Sequence, residues 1–100
     1  MDREEAAELL ERQRCIRTLL ALLNAPEECA VSDLLDHIGG SRSTGINRLD
    51  ELRSAGLVQK RAGNNRTPYT LTTDGKEVVE QLQAALQTIQ AASKENNEHH

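Results

Sequence analysis

Over the first quarter of the chain the apolar residues Leu9, Leu10, Ile16, Leu19, Leu20 and Leu23 recur at helical spacing among Glu and Arg. The pattern predicts one amphipathic helix from about Arg3 to Asn24. Pro26 stops it, because the ring removes a backbone donor and clashes with the preceding turn. In "CAVSDLLDHIGGS", Ser32 is a suitable N-cap, Asp33 suits the positive end of the helix dipole, and Leu34, Leu35 and Ile38 face inward. A helix of about two turns follows, closed by Gly39 and Gly40. Ser41 opens the next helix as its N-cap. Ile46, Leu49 and Leu52 give that helix one apolar face as far as about Ala55, and Gly56 supplies the left-handed position behind it.

From there the period shortens. "LVQKR" and "PYTLT" are β-prone runs separated by "AGNNRT", whose Gly and Asn tolerate the positive φ of a hairpin loop. Pro68, at the start of the second run, fits an edge strand. Thr72 or Thr73 then caps a long helix in which Val79, Leu82, Leu86 and Ile89 repeat at intervals of 3, 4 and 3, flanked by Val78, Ala85 and Ala92. That is a heptad-like seam. Residues 93–100, "SKENNEHH", are polar and expected to be disordered, and the terminal His pair is assigned no role. One domain over residues 1–92 is expected, with 1–25 and 73–92 as terminal helices.

Composition narrows the fold class. The apolar supply is aliphatic, with 14 Leu, 11 Ala, 4 Ile, 4 Val and a single aromatic, Tyr69. Interlocking Leu-rich helix faces must therefore make the core, and the expected class is mainly α with a small β-hairpin. No apolar run approaches the roughly 18 residues of a membrane span. The start "MDREEAAELL" is acidic and helical rather than basic then apolar, so no signal peptide is read and a cytoplasmic location is expected, away from membranes. Cys15 and Cys29 match neither a disulfide framework nor a zinc site, and both are read as buried reduced thiols. His37 has no second ligand at compatible spacing and is read as a surface or helix-end residue, so no metal is expected. With no nucleophile beside a base, no paired carboxylates in a recognisable setting and no glycine-rich phosphate loop, neither an enzyme nor a cofactor is expected.

Charge is unevenly spread. The net charge is -4, yet residues 41–70 hold Arg42, Arg48, Arg53, Lys60, Arg61 and Arg66 against only Asp50 and Glu51. This stretch is locally +4 and the remainder -8. One surface can therefore attract an anionic partner while the bulk stays acidic.

A short helix, a tight turn and a second capped helix make a helix-turn-helix, and a hairpin directly behind adds a wing. "SRSTGINRLDELRSAGLVQKRAGNNRTPYTLTTDGKEVVEQL" resembles the winged helix-turn-helix of MarR-type, ArsR-like and HxlR-like transcription regulators of bacteria and archaea. The likeness covers about Val31 to Leu82. Its most specific parts are "SRST", the passage "RLDELRSAGLV" and the "YTLT" that closes the wing. The cysteine pairs of the metal-sensing ArsR members are missing. The resemblance implies that Arg42 to Ala55 is a recognition helix lying in the DNA major groove. With Ile46, Leu49 and Leu52 inward, a wheel of about 100° per residue puts Ser43, Thr44, Asn47 and Glu51 on the opposite face and Arg48 at its margin.

Asn47 can pair with adenine, Arg48 with guanine or phosphate, and the hydroxyls of Ser41, Ser43 and Thr44 with bases or phosphates. Glu51 opposes phosphate and stands against this pattern. Gly45 is justified by close approach to the short helix. Arg53, near the inward side, is read as a structural ion pair with Glu27, Asp50 or another acid. The resemblance further implies that the wing, with Lys60, Arg61, Asn64, Asn65, Arg66 and Thr67, follows the backbone or enters the minor groove. Tyr69 is expected to pack where the wing meets the body. In this family terminal helices form the dimer interface, which here would enlist Leu9, Leu10, Ile16, Val79, Leu82, Leu86 and Ile89. The expected function is a homodimeric, sequence-specific repressor of pseudo-palindromic double-stranded DNA, acting by promoter occlusion. A winged helix used only for protein association is the alternative, which Glu51 and the acidic total favour.

Overall fold

Helices α1 (Arg3–Glu11), α2 (Cys15–Asn24), α3 (Val31–Ile38) and α4 (Arg42–Ser54) lead into strands β1 (Val58–Lys60) and β2 (Tyr69–Leu71), then helix α5 (Thr73–Glu98), in the computed structural model, which describes residues 1–25, 31–60 and 69–98. Pro26, Cys29, Pro68 and the terminal His pair lie outside the described residues.

The single first helix expected over residues 3–24 is two helices. The chain turns at Arg12 to Arg14, where Arg14 takes a left-handed conformation with φ 65°, the one positive φ among the described residues other than glycine. Such a backbone costs roughly 1–2 kcal/mol in a residue with a Cβ. Asp2 caps α1 by accepting from Glu5 N at 2.8 Å. The turn re-phases α2, so that Cys15, Thr18, Leu19 and Leu22 are buried while Leu23 is left exposed. Thr18 is the one fully buried polar residue of this group, and its hydroxyl donates to Arg14 O at 2.7 Å.

Helix α3 takes in Val31 and Ser32, so Ser32 sits in the first turn rather than before it. Leu34, Leu35 and Ile38 are buried as expected, and Gly39 and Gly40 follow at φ 78° and 74°. Ser41 caps α4, accepting from Thr44 N at 3.1 Å. Gly56, at φ 83°, turns the chain into β1. The strands pair antiparallel with Val58 opposite Leu71 and Lys60 opposite Tyr69. Thr72 rather than Thr73 serves as the cap of α5, its hydroxyl accepting from Gly75 N at 3.0 Å.

The core joins all seven elements: Leu9, Leu19, Leu34, Ile38, Leu49, Leu52, Val58, Tyr69, Leu71 and Val79 are buried together. Each fully buried aliphatic side chain contributes about 1.5–3 kcal/mol. Helix α5 continues past the expected end near Ala92 to Glu98, so the predicted disordered tail is helical through that residue. At 26 residues it is about 39 Å long, and every residue from Gln83 to Lys94 is exposed. No helix among the described residues is long and apolar enough to cross a membrane.

Candidate nucleic-acid interface

Helix α4 is held by one face and presents the other. Gly45, Leu49 and Leu52 are its buried residues, and Ile46, expected inward, is only partly buried. Gly45 permits the crossing with α3, since a Cβ there would stand 2.5 Å from Leu35 Cδ2. The opposite side exposes Arg42, Ser43, Asn47, Asp50, Arg53 and Ser54. Over the first turn and a half this exposed side carries no acid, and Asp50 enters one turn beyond Asn47. The N-terminal half is the half that meets base edges when a helix of this kind enters a major groove. Ser41 is exposed and Thr44 half-buried, and their hydroxyls share a hydrogen bond of 2.8 Å as part of the cap. Each remains able to take one more partner, because a hydroxyl has one donor and two lone pairs.

Arg48 differs from its expected place at the groove margin. The buried arc of α4 is centred on Gly45, Leu49 and Leu52, which draws position 48 toward the body, and the Arg48 side chain is only 14 % exposed. Its Nη2 lies 3.0 Å from Glu51 Oε1, and Arg12 Nε approaches Glu51 Oε2 at 3.3 Å from the α1–α2 turn. The second approach is near enough for charge pairing without the alignment of a hydrogen bond, since Oε2 has no hydrogen-bond donor. Glu51 thus points at two guanidinium groups. The structural ion pair expected of Arg53 is made by Arg48 instead: Arg53 is exposed and makes no ion pair with Asp50, and Glu27 lies outside the described residues.

Cys15 lies beneath this cluster at 1 % exposure, and burial pushes its thiol pKa up, with Arg48 and Arg12 opposing the shift and Glu51 adding to it. A protonated, enclosed thiol is what the sequence predicts for Cys15. Among the described residues no group of His, Cys, Asp and Glu could hold a metal ion, and His37 lies on an open surface with Arg17, Leu20, Ala21 and Asn24.

The wing starts from β1, which packs against α4. Lys60 is exposed with its Nζ 5.6 Å from the centroid of the Tyr69 ring, and the ring itself is buried. A cation–π contact therefore sets the root of the loop. Arg61, Asn64, Asn65, Arg66 and Thr67 lie outside the described residues.

The seven residues expected at a dimer interface divide into three groups. Leu9 and Val79 are 8 % and 0 % exposed and face the chain's own core. Leu10, Ile16 and Leu82 are partly buried, and Leu86 and Ile89 are 40 % and 64 % exposed. Leu10, Val78 and Leu82 line a shallow apolar groove with Asp74, Glu77 and Gln81.

The turn residues Arg12 and Arg14 were not singled out by sequence reasoning. The available signal was a cluster of basic residues, "RQRCIR", interrupting the apolar stripe between Leu10 and Ile16.

No protein-family profile matches the sequence, and no curated protein does. Among solved structures, a possible HxlR family transcriptional factor from Thermoplasma volcanium is 29% identical, with a TM-score of 0.75 over 94% of this chain and 87% of that one. SSV1 F-93 aligns at a TM-score of 0.59 and 24% identity over 78% of this chain and 91% of its own. Transcriptional regulator PA3341 aligns at 0.68 and 23% identity over 92% of this chain and 69% of its own. These two share the fold. With its capped fourth helix, hairpin and long terminal helix, the chain is a winged helix-turn-helix protein similar to HxlR-like transcriptional regulators.

Proposed function

We propose that this chain is a sequence-specific regulator of transcription that binds double-stranded DNA as a homodimer and represses by occluding promoters. The observation that carries the reading is the exposed N-terminal half of α4, where Arg42, Ser43 and Asn47 stand free of acids on a scaffold shared with an HxlR-like factor. Arg42 supplies a phosphate contact beside the positive end of the helix dipole, and Asn47 reads adenine in the major groove. The wing residues Lys60, Arg61, Asn64, Asn65, Arg66 and Thr67 add backbone or minor-groove contacts. Glu51, which favoured a role in protein association alone, is matched by Arg12 and Arg48 and leaves that alternative without its main support.

Dimerisation rests on α5. From Gln81 to Ser93 it carries no charged residue, and Leu86 and Ile89 stand exposed on it. An uncharged stretch of helix carrying exposed large aliphatics fits contact with a second copy better than contact with water. Two-fold symmetry then calls for a pseudo-palindromic site with half-sites about one helical turn apart.

Selection of bound fragments from genomic DNA, followed by fluorescence titration of the selected duplex against mixed-sequence duplex, tests the reading. Arg42→Ala should weaken both alike and lower the salt slope by about 1, while Asn47→Ala should cost about 1–3 kcal/mol on the selected site alone. Equal binding of both duplexes by the unaltered chain would remove sequence specificity from the proposal.

A further inference from the structure

The α1–α2 turn holds the helix-turn-helix at its central turn and at the C-terminal half of α4 through two arginines two positions apart. Arg14 Nη1 donates to Ile38 O, the last carbonyl of α3, at 3.1 Å. Its side chain lies so close over the Gly39–Gly40 turn that a Cβ on Gly40 would fall 2.6 Å from Arg14 Nε, and one on Gly39 2.9 Å from Nη1. Arg12 reaches the other way, to Glu51 on α4, which Arg48 holds from below. Arg14 keeps this place despite a left-handed backbone and a buried Nε without a partner. Two unfavourable features at one residue persist only where surrounding contacts determine its position, and such residues gather where geometry matters.

Resting on the DNA-binding reading above, we infer that Arg12 and Arg14 are positioning residues: they fix the α3–α4 turn and the rotation of α4 about its axis, and so set DNA affinity without touching DNA. Losing Arg12 leaves Glu51 with Arg48 alone and frees the C-terminal half of α4 to roll. Losing Arg14 uncaps α3 and empties the space over two adjacent glycines, the hinge about which α4 would tilt. Leu10 and Ile16 flank the same turn and line the surface around it, so a second chain pressing there would act on α4 through these arginines. Cys15, in the same turn, is buried at 1 % exposure.

The test uses the full chain with Arg12→Gln, Arg12→Lys, Arg14→Gln, Arg14→Lys and the pair Arg12→Gln with Glu51→Gln. Arg12 is half exposed, so its variants should fold even where those of Arg14 do not. Two measurements are made: duplex affinity across a range of salt, and amide hydrogen exchange of the free protein. Arg12→Gln should bind about ten-fold more weakly with the salt slope unchanged, and Arg12→Lys should restore most of the loss. Adding Glu51→Gln to Arg12→Gln should cost less than Glu51→Gln alone, because the two share one contact. Exchange in the free protein should rise along the C-terminal half of α4 in Arg12→Gln and at Gly39–Gly40 in Arg14→Gln, while α2 and the first turns of α5 stay protected.

A salt slope lowered by about 1 would make Arg12 a phosphate ligand and overturn the inference. Unchanged exchange in α4, or a rise spread evenly over α2, α4 and α5, would overturn it as well. Should the unaltered chain bind no duplex, the DNA-binding reading fails, and the exchange pattern decides the positioning role by itself.

Discussion

Two glycines make tight contacts for different reasons, and their substitutions should separate accordingly. A Cβ on Gly45 meets a Leu35 methyl, which can give a little, whereas one on Gly75 meets the backbone oxygen of Leu57, which cannot. Gly45→Ala gains about 1 kcal/mol of helix propensity against about 1–3 kcal/mol of overpacking, so a net loss of about 1 kcal/mol is expected. Gly75→Ala should lose more than Gly45→Ala, about 3 kcal/mol, because α5 must lift from Leu57. Urea midpoints at unchanged slope would measure both, and an equal loss in the two would contradict the distinction. Cys15 offers a second check, in a Cys29→Ser background. Burial raises its folded pKa above the unfolded value, so the stability it contributes is complete below about pH 8.5 and falls as pH rises beyond that. At pH 8 the native thiol should resist alkylation while the urea-unfolded chain reacts, and equal rates would show that Cys15 is accessible. Arg48 rather than Arg53 makes the structural ion pair because a wheel built on Ile46 places the apolar centre too far round. Gly45 contributes no apolar side chain to the pattern, yet marks the point of closest packing.

Elements are joined by single polar residues, and Thr72 is the clearest. Its hydroxyl donates to Gly56 O at 2.7 Å and accepts from Gly75 N at 3.0 Å, tying the end of the helix-turn-helix to the start of α5. Thr72→Val keeps the branched shape and removes both bonds. It should cost about 1–2 kcal/mol and raise amide exchange in the first turn of α5, and a chain as stable as the original would show the joint to be idle. The "YTLT" sequence makes this cap legible, as "GGS" makes the turn before α4 legible, because glycine and hydroxyl residues carry local rules. The turn between α1 and α2 obeys no such rule. It contains neither Gly nor Pro, and Leu9, Leu10, Ile16, Leu19, Leu20 and Leu23 share one side of a continuous wheel. Helix α2 is apolar on nearly every side, so a second stripe of Cys15, Thr18, Leu19 and Leu22 is equally available, and long-range packing against α3, α4 and α5 selects it. The Arg12–Glu51 contact follows from that choice and so was not visible in the residues alone.

For the whole molecule, the acidic total and the local +4 of residues 41–70 act at different ranges. At about 0.15 M salt, charges more than roughly 8 Å apart are largely screened, so a phosphate at α4 meets Arg42 before it meets the acids of α1 or α5. A dimer neutralising about six to eight phosphates should show a slope of log affinity against log salt of about -5 to -7. Its assembly can be separated from folding, because the exposed Leu86 and Ile89 lie outside the core that buries Leu9 and Val79. Leu86→Lys with Ile89→Lys should therefore leave the thermal transition of the monomer unit intact while light scattering reports half the mass. Binding to a palindromic site should weaken by about 100-fold or more as two linked half-site contacts become one, and the salt slope should fall toward half its value. A double variant that stays dimeric would move the interface away from the C-terminal half of α5. One that becomes monomeric yet binds the palindrome as tightly as before would separate assembly from DNA recognition.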